Sequence, residues 1–343
     1  MFESISTPSR PNWMLRIAAA AGIAALGAGA VWLWRMTQMP LTSFKGPLPA
    51  LSAAQSELAN RLSEHVTYLS VAIGERNIER TGSLQAAIDY LRGELVQAGY
   101  NVTEKTYNVQ VHAATNLEAE LVGSDGSAGI VVVGAHYDSV TGTVGADDNA
   151  TGIAAVLELA RDLRGSKMRR TVRFVLFVNE EPPYFQTEQM GSFAYARHLQ
   201  HDGVPVSAMT SLEMLGFYSD APGSQKYPAL LNLFYPSHGN FIGFVGNSES
   251  RDLVRRATRR FRESAQFPSE GVAAPASLPG VGWSDQWSFW QQGYPAIMIT
   301  DTAIFRYPYY HTPLDTVDKL DFAKMARVVD GVRNVVASLA DER

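Results

Sequence analysis

The sequence predicts an α/β fold, a mostly parallel β-sheet covered by helices on both faces and preceded by one N-terminal transmembrane helix. Three observations carry this. Unbroken apolar runs such as Ile130-Val131-Val132-Val133 alternate with stretches of helical spacing, the pattern of strands buried on both faces. Charged residues gather where those runs end, at the carboxyl edge where such sheets build their sites. The stretch 17–34 (IAAAAGIAALGAGAVWLW) carries no charge over a length just sufficient to span a bilayer.

Arg16 and Arg35 bracket that span, and Trp13, Trp32 and Trp34 stand at its ends, as suits the two interfaces. A cleaved signal peptide is the alternative, with Ala28-Gly29-Ala30 as the small-residue site. Cleavage there would leave an awkwardly apolar new start, VWLWRM. The domain plan is therefore a tail (1–16), an anchor (17–36), a linker (37–50) and a catalytic body (51–343). A short tail before one span and a large domain after it place the body outside the cytoplasm, in a bacterial periplasm or at the cell exterior. The linker TQMPLTSFKGPLPA holds three prolines and a glycine.

Helices are expected over 52–73 and 83–98, the second with Leu84, Ala87, Leu91 and Leu95 at helical spacing. Strands follow at 107–111, 116–123 and 129–136. A helix spans 150–163, with Ile153, Val156, Leu157 and Ala160 on one face. Next come a strand at 171–178, a helix at 191–199, a strand at 206–215, a helix at 251–264, a strand at 294–300 and a closing helix at 322–339. The glycine- and proline-rich stretches 219–247 and 266–283 read as long loops.

Of 343 residues, 46% are hydrophobic and 18% charged, with a formal net charge of −5, so nucleic acid is not an expected partner. There is no cysteine. That excludes disulfides, a cysteine nucleophile and thiolate ligands, and leaves any metal to histidine and carboxylates.

The strand ends supply those groups. His136 and Asp138 follow one apolar run, Glu180 and Glu181 another; Glu213 sits within a third, between Leu212 and Met214; His311 follows the last. Asp147 and Asp148 precede the helix at Ala150. Singly, each has a plainer role: a core histidine, helix caps at Asp147, Asp148 and Asn149, a solvated glutamate pair, or aromatic packing of His311 beside Tyr309 and Tyr310. Together they make a site of borderline and hard ligands. Converging carboxylates without a cation repel one another, which calls for a metal, and with so many carboxylates for two.

The segments HYDS, GADDNATG, NEE…MGS, LEMLG, SDQWSFWQQGYPA and YYHTPLDT resemble, in this order, the motifs of the M28 zinc peptidases, co-catalytic aminopeptidases. The likeness runs from about residue 80 to 320. It implies a central mixed, mainly parallel sheet of the zinc-exopeptidase (phosphorylase/hydrolase-like) kind and two zinc ions per chain. Carried over by position, Asp148 bridges the metals, His136 and Glu213 complete one, and Glu181 and His311 the other. Glu180 takes the place of the general base. Asp138 takes that of the carboxylate orienting a histidine ligand, and Tyr310 that of a tyrosine steadying the oxyanion. The implied substrates are peptides with a free N-terminus.

Three departures stand out. Many members have aspartate where this chain has Glu213. The usual SDH is Ser284-Asp285-Gln286 here, leaving Asp285 either a helix cap or without an assigned role. Pro182-Pro183 replaces a glycine after the glutamates, which implies a changed loop at the pocket rim. A single-zinc glutaminyl cyclase, a carboxypeptidase or dipeptidase on the same scaffold, and a non-catalytic membrane ectodomain are the alternatives. The sequence does not decide the preferred residue or the oligomeric state.

Overall fold

A computed structural model describes residues 12–109 and 111–342. Most of the expected tail, 1–16, lies outside the described residues. The chain divides into a helical unit ending at Gln38 and a main body beginning at Met39. The helical unit is α1 (Asn12–Thr37). Its Trp13–Thr37 stretch holds an 18-residue window of mean hydropathy 1.8, none of it buried, whereas Met36 near the end of the helix is buried. It is longer than the predicted 17–34 because the helix runs on past Trp34, and Gln38 N–H still donates to the Trp34 carbonyl at 2.9 Å.

The main body is built on eight strands: β1 (Val102–Val109), β2 (His112–Leu121), β3 (Ile130–His136), β4 (Thr171–Phe177), β5 (Val206–Glu213), β6 (Ile242–Gly246), β7 (Ser269–Ala273) and β8 (Ala296–Thr300). They lie in the order β1-β2-β4-β3-β5-β8-β6-β7. The central four, β4, β3, β5 and β8, are parallel. The sheet is mixed because β2 runs antiparallel to β4 and to β1, and β6 antiparallel to β8.

Helices α2 (Ala53–Thr67), α3 (Thr81–Gln97), α4 (Gly152–Leu163), α5 (Gly191–His201), α6 (Arg251–Ser264), α7 (Gln286–Gln291) and α8 (Phe322–Asp341) cover it. The strand period of two sorts the core. Val131, Val133 and Ala135 of β3 join the cluster that includes α2, α3, α4, α6 and α8. Ile130 and Val132 join the one holding Tyr195 of α5 and Phe289 of α7. Every residue of β3 is buried, which explains its unbroken apolar run.

The structure corrects several boundaries. The predicted strand 107–111 begins earlier, at Val102, and the helix 52–73 changes at Tyr68 to wider π turns that end at Ile73. The two expected loops contain β6 and β7. These strands are five residues each, IGFVG and SEGVA, and their glycines mimic loop composition. The glycines answer to close approach instead. A Cβ at Gly246 would stand 2.5 Å from Val254 of α6, and one at Gly271 would stand 2.8 Å from Met39.

Candidate metal centre

Strand order reverses at β3, which pairs with β4 on one side and β5 on the other, and such a point opens a crevice at the strands' carboxyl ends. His136 is the last residue of β3 and Glu213 the last of β5. Glu180 and Glu181 follow β4, His311 lies in the loop after β8, and Asp148 lies in the turn Ala146–Thr151 that feeds α4. His136 Nε2 stands 3.4 Å from Asp148 Oδ1 and 3.3 Å from Glu213 Oε2. His311 Nε2 stands 3.1 Å from Asp148 Oδ2 and 3.2 Å from Glu181 Oε2. The two oxygens of Asp148 therefore serve two different imidazoles. Within each trio the donor atoms lie within 4.8 Å of one another. His311 Nε2 is buried yet makes no hydrogen bond of acceptable geometry. An orphaned imidazole nitrogen between two carboxylates is the donor set that zinc takes.

Around these groups runs a set of fixed supports. The Asp138 carboxylate accepts the N–H of Glu180 at 3.2 Å and of Glu181 at 3.1 Å. His136 Nδ1 meets the Asp138 backbone carbonyl at 3.1 Å, whereas the carboxylate is 3.6 Å away. Asp138 thus positions the two glutamates with its side chain and the histidine chiefly with its backbone. Glu213 Oε2 accepts from Ser284 Oγ at 2.6 Å and from Asn149 Nδ2 at 3.3 Å. The capping role belongs to Asn149, whose Oδ1 accepts the Gly152 N–H at 3.0 Å. Asp147 turns away from the imidazoles and accepts from Gly216 N–H at 2.9 Å. The Asp148–Asn149 peptide is cis.

Two supports escaped the sequence reading. Asp315 grips the backbone at Asp148: Oδ1 accepts from Asp147 N–H at 2.8 Å, and Oδ2 from Asp148 N–H at 3.2 Å. Arg76 has no exposed surface. Its guanidinium donates to the carbonyls of Tyr137, Leu69, Gly74, Val144 and Gly145 at 2.6–3.0 Å. It thereby ties down both ends of the loop between His136 and Asp148. Asp315 stands inside the segment YYHTPLDT, four residues after His311, a signal that could have found it, but nothing local marks Arg76 as buried.

Burial and crowding set the charges. Burial pushes Glu180 well above the usual carboxylate range; His136 pulls it down, and Glu181 and Glu213 add to the rise. Glu181 is pushed up to about 7 by burial and by Asp148. Burial also acts on Asp148, but the imidazoles of His136 and His311 beside it more than offset it and leave that carboxyl low. Burial works against charge on His311, yet the neighbouring Asp148 and Glu181 carboxylates raise it to about 10. So many carboxyls cannot all be ionised unless cations join them.

Glu180 belongs to neither trio; its nearest approach to an imidazole is 3.9 Å, to His136 Nε2. Asp285 is fully buried and pushed up to about 7 by that burial. It makes no side-chain cap to α7, so the helix-cap role is not what the structure shows. Tyr310 stacks on His311, with ring centroids 3.8 Å apart. With Glu213 it borders a cavity of about 100 Å³ walled by Tyr227, Leu231, Phe241, Phe244, Trp283 and Phe305.

Comparisons with known proteins converge on one group. Residues 116–336 match the model of peptidase family M28. The uncharacterized protein YfbL of Escherichia coli K12 is 38% identical over 281 residues, covering 79% of this chain and 85% of its own. Leupeptin-inactivating enzyme 1 of Streptomyces exfoliatus is 31% identical over 54% of this chain, which spans only 44% of that relative's length. Among solved structures, the zinc aminopeptidase BSAP of Bacillus subtilis superposes with a TM-score of 0.66 at 15% identity, over 83% of this chain and 95% of its own. A glutaminyl cyclase of Fimbriiglobus ruber does so at 0.61 and 20% identity, over 88% and 99%. At those identities the likeness is one of fold.

Proposed function

The chain belongs to peptidase family M28 and is a zinc metallopeptidase; from that premise we propose that it is an aminopeptidase working with two zinc ions. The observation that carries this is the sharing of Asp148, through opposite oxygens, between the His136–Glu213 and His311–Glu181 groups. The pairs would hold one ion each, with Asp148 common to both. Zinc at such a site lowers the pKa of water and polarises a carbonyl oxygen. Glu180, close by but outside both trios, takes the proton from the attacking water at its carboxylate and delivers it to the leaving amine nitrogen. Tyr310 presents its hydroxyl beside the reacting carbonyl, and Asp138 keeps the two glutamates aimed. The substrate's ammonium group is met by the surrounding carboxylates, and its first side chain enters the apolar cavity beside Glu213. An apolar N-terminal residue is therefore preferred. We take α1 as an uncleaved anchor and residues 51–343 as the peptidase domain, held outside the cytoplasm.

The test compares two neighbouring glutamates. Glu181→Ala removes a ligand, so zinc content falls and activity returns in part at high zinc. Glu180→Gln keeps both ions but loses about 10²–10⁴-fold in kcat, as expected for a general base. A Glu180→Gln enzyme within a few-fold of wild type, still holding two zinc ions, contradicts the mechanism. Because the fold is shared with a glutaminyl cyclase, the substrate panel includes N-terminal glutamine. One zinc per chain together with cyclisation of that residue decides for the single-metal reaction.

A further inference from the structure

The six arginines of α6 have no part in this chemistry. RDLVRRATRRFRES contains six arginines against one aspartate and one glutamate, a local charge of +4 in a chain whose net charge is −5. Leu253, Val254, Ala257, Thr258 and Phe261 form its buried stripe, so the helical period turns Arg256 and Arg259 to the opposite side. Arg256 and Arg260 side chains are 45% and 43% exposed. Carboxylates balance part of this charge: Arg256 meets Glu342, Arg260 meets Glu263 at 3.7 Å, and Arg262 meets Glu270 at 3.4 Å. Arg169 and Arg170 lie near Arg256: Arg170 is held below its usual value chiefly by burial and then by Arg169, with Arg256 adding and Glu342 opposing.

A second observation says what lies opposite this face. The residues that open the main body do not swing free. Arg262 donates to the carbonyls of Pro40 at 3.1 Å and Leu41 at 2.8 Å. Met39 packs where a side chain on Gly271 would otherwise sit. Ser43 Oγ accepts the Ser269 N–H at 2.9 Å, and Arg327 donates to the Pro49 carbonyl. The 39–50 strap is thus fastened along α6, β7 and α8. Only Gln38 separates Thr37, where α1 ends, from Met39, two Cα–Cα steps that allow about 7 Å of chain. A bilayer crossed by α1 is therefore tied through this short stretch of chain to a strap that α6 holds at Pro40 and Leu41.

We propose that the arginine face of α6 docks on anionic lipid headgroups and so fixes the peptidase body against the membrane that holds its anchor. The proposal rests on the anchor reading. Of all acidic surfaces, only the bilayer is brought to this face by the chain itself. Juxtamembrane basic segments gain attraction from each arginine near an anionic surface, and the attraction fades with salt.

The absence of cysteine makes the test direct. The full chain carrying Ser264→Cys, labelled with a fluorophore at that exposed end of α6, is placed in nanodiscs containing a headgroup quencher. One set is phosphatidylcholine alone and the other also contains phosphatidylglycerol. Quenching should be about two-fold greater in the anionic discs and should relax to the zwitterionic level in about 0.5 M salt. The triple variant Arg256→Gln, Arg259→Gln, Arg260→Gln should abolish the difference while thermal melting and turnover of a soluble substrate stay as in the parent. Equal quenching in both lipids, or a difference that the triple variant retains, overturns the proposal but leaves the anchor standing. A chain that leaves the membrane on alkaline extraction and fails to enter discs removes the anchor and the docking face together.

Discussion

Replacing Arg76 by lysine isolates what its guanidinium does beneath the site. The substitution keeps the positive charge that faces Asp138, Asp315, Asp148 and Glu181 but removes the planar fork. Arginine reaches five backbone carbonyls here. An ammonium has three donors, so at least two carbonyls lose their partner. The bonds to Leu69, Tyr137 and Gly145 are buried, while those to Gly74 and Val144 are partly accessible to water. An unsatisfied buried carbonyl costs about 1–3 kcal/mol, so Arg76→Lys should destabilise the body by about 2–6 kcal/mol. Removing all donors with Arg76→Met would leave three buried carbonyls unpaired, about 3–9 kcal/mol, comparable to the whole stability of a typical domain. Lysine is therefore the informative choice. The loop between His136 and Asp148 should also loosen, and zinc affinity should fall about 10–100-fold, as when an outer partner of a ligand is lost. Urea unfolding with and without zinc measures the first effect, and competition with a chelating dye the second. A variant within about 1 kcal/mol of wild type, with unchanged zinc affinity, would refute the reasoning.

Other outcomes follow from the same site. In the zinc-free protein, burial holds the protons of Glu181 and Asp285 to about 7, above their unfolded values. Stability is then fully present below about pH 4 for these groups and is lost as pH rises towards 7. His311, raised to about 10, adds stability below pH 6.5 that is lost as pH climbs through 10. The melting temperature of the chelated protein should therefore fall between mildly acidic and alkaline pH, and zinc should restore more at the alkaline end; a rise with pH would contradict the charge assignment. Leu231→Trp should crowd the apolar cavity, lowering kcat/KM for leucyl and phenylalanyl substrates about ten-fold or more while sparing alanyl ones, as read on a panel of aminoacyl fluorogenic substrates. The complete chain should resist alkaline extraction from membranes, and sequencing its mature N-terminus to find Val31 would decide for a cleaved signal instead.

Sequence pattern reached the sheet's centre and the ligands for one physical reason: both are written locally. β3 and β4 are apolar runs, and their charges stand at the ends, so a reader of residues 130–181 sees strand and site together. The outer strands were missed because five residues with one or two glycines carry no period, and the glycines take their meaning from partners outside the strand, Val254 on the next helix for β6 and the distant Met39 for β7. The same limit hid Arg76. Its five acceptors are backbone atoms, which have no letter in the sequence. Asp138 was seen as a partner of the histidine, but whether its carboxylate or its carbonyl faces the ring is a matter of rotamer, and the carboxylate goes to the glutamates' N–H groups. Asp285 illustrates the reverse error: it stands at the N-cap position of α7, but its buried carboxylate makes no cap bond.

Asp315 grips the backbone of Asp148 across 167 residues of chain, and that span has a consequence in time. Synthesis runs from the N-terminus, so α1 and the strap appear first, then His136 and Asp148, then Glu181 and Glu213. His311 and the Asp315 clamp come almost last, after β8, the strand against which β5 must pair. Until then Asp148 has one imidazole rather than two, and its turn is not held from the far side. On the two-zinc reading proposed above, a growing chain is therefore a latent protease, whose second pair of ligands is complete only when nearly every residue has been synthesised.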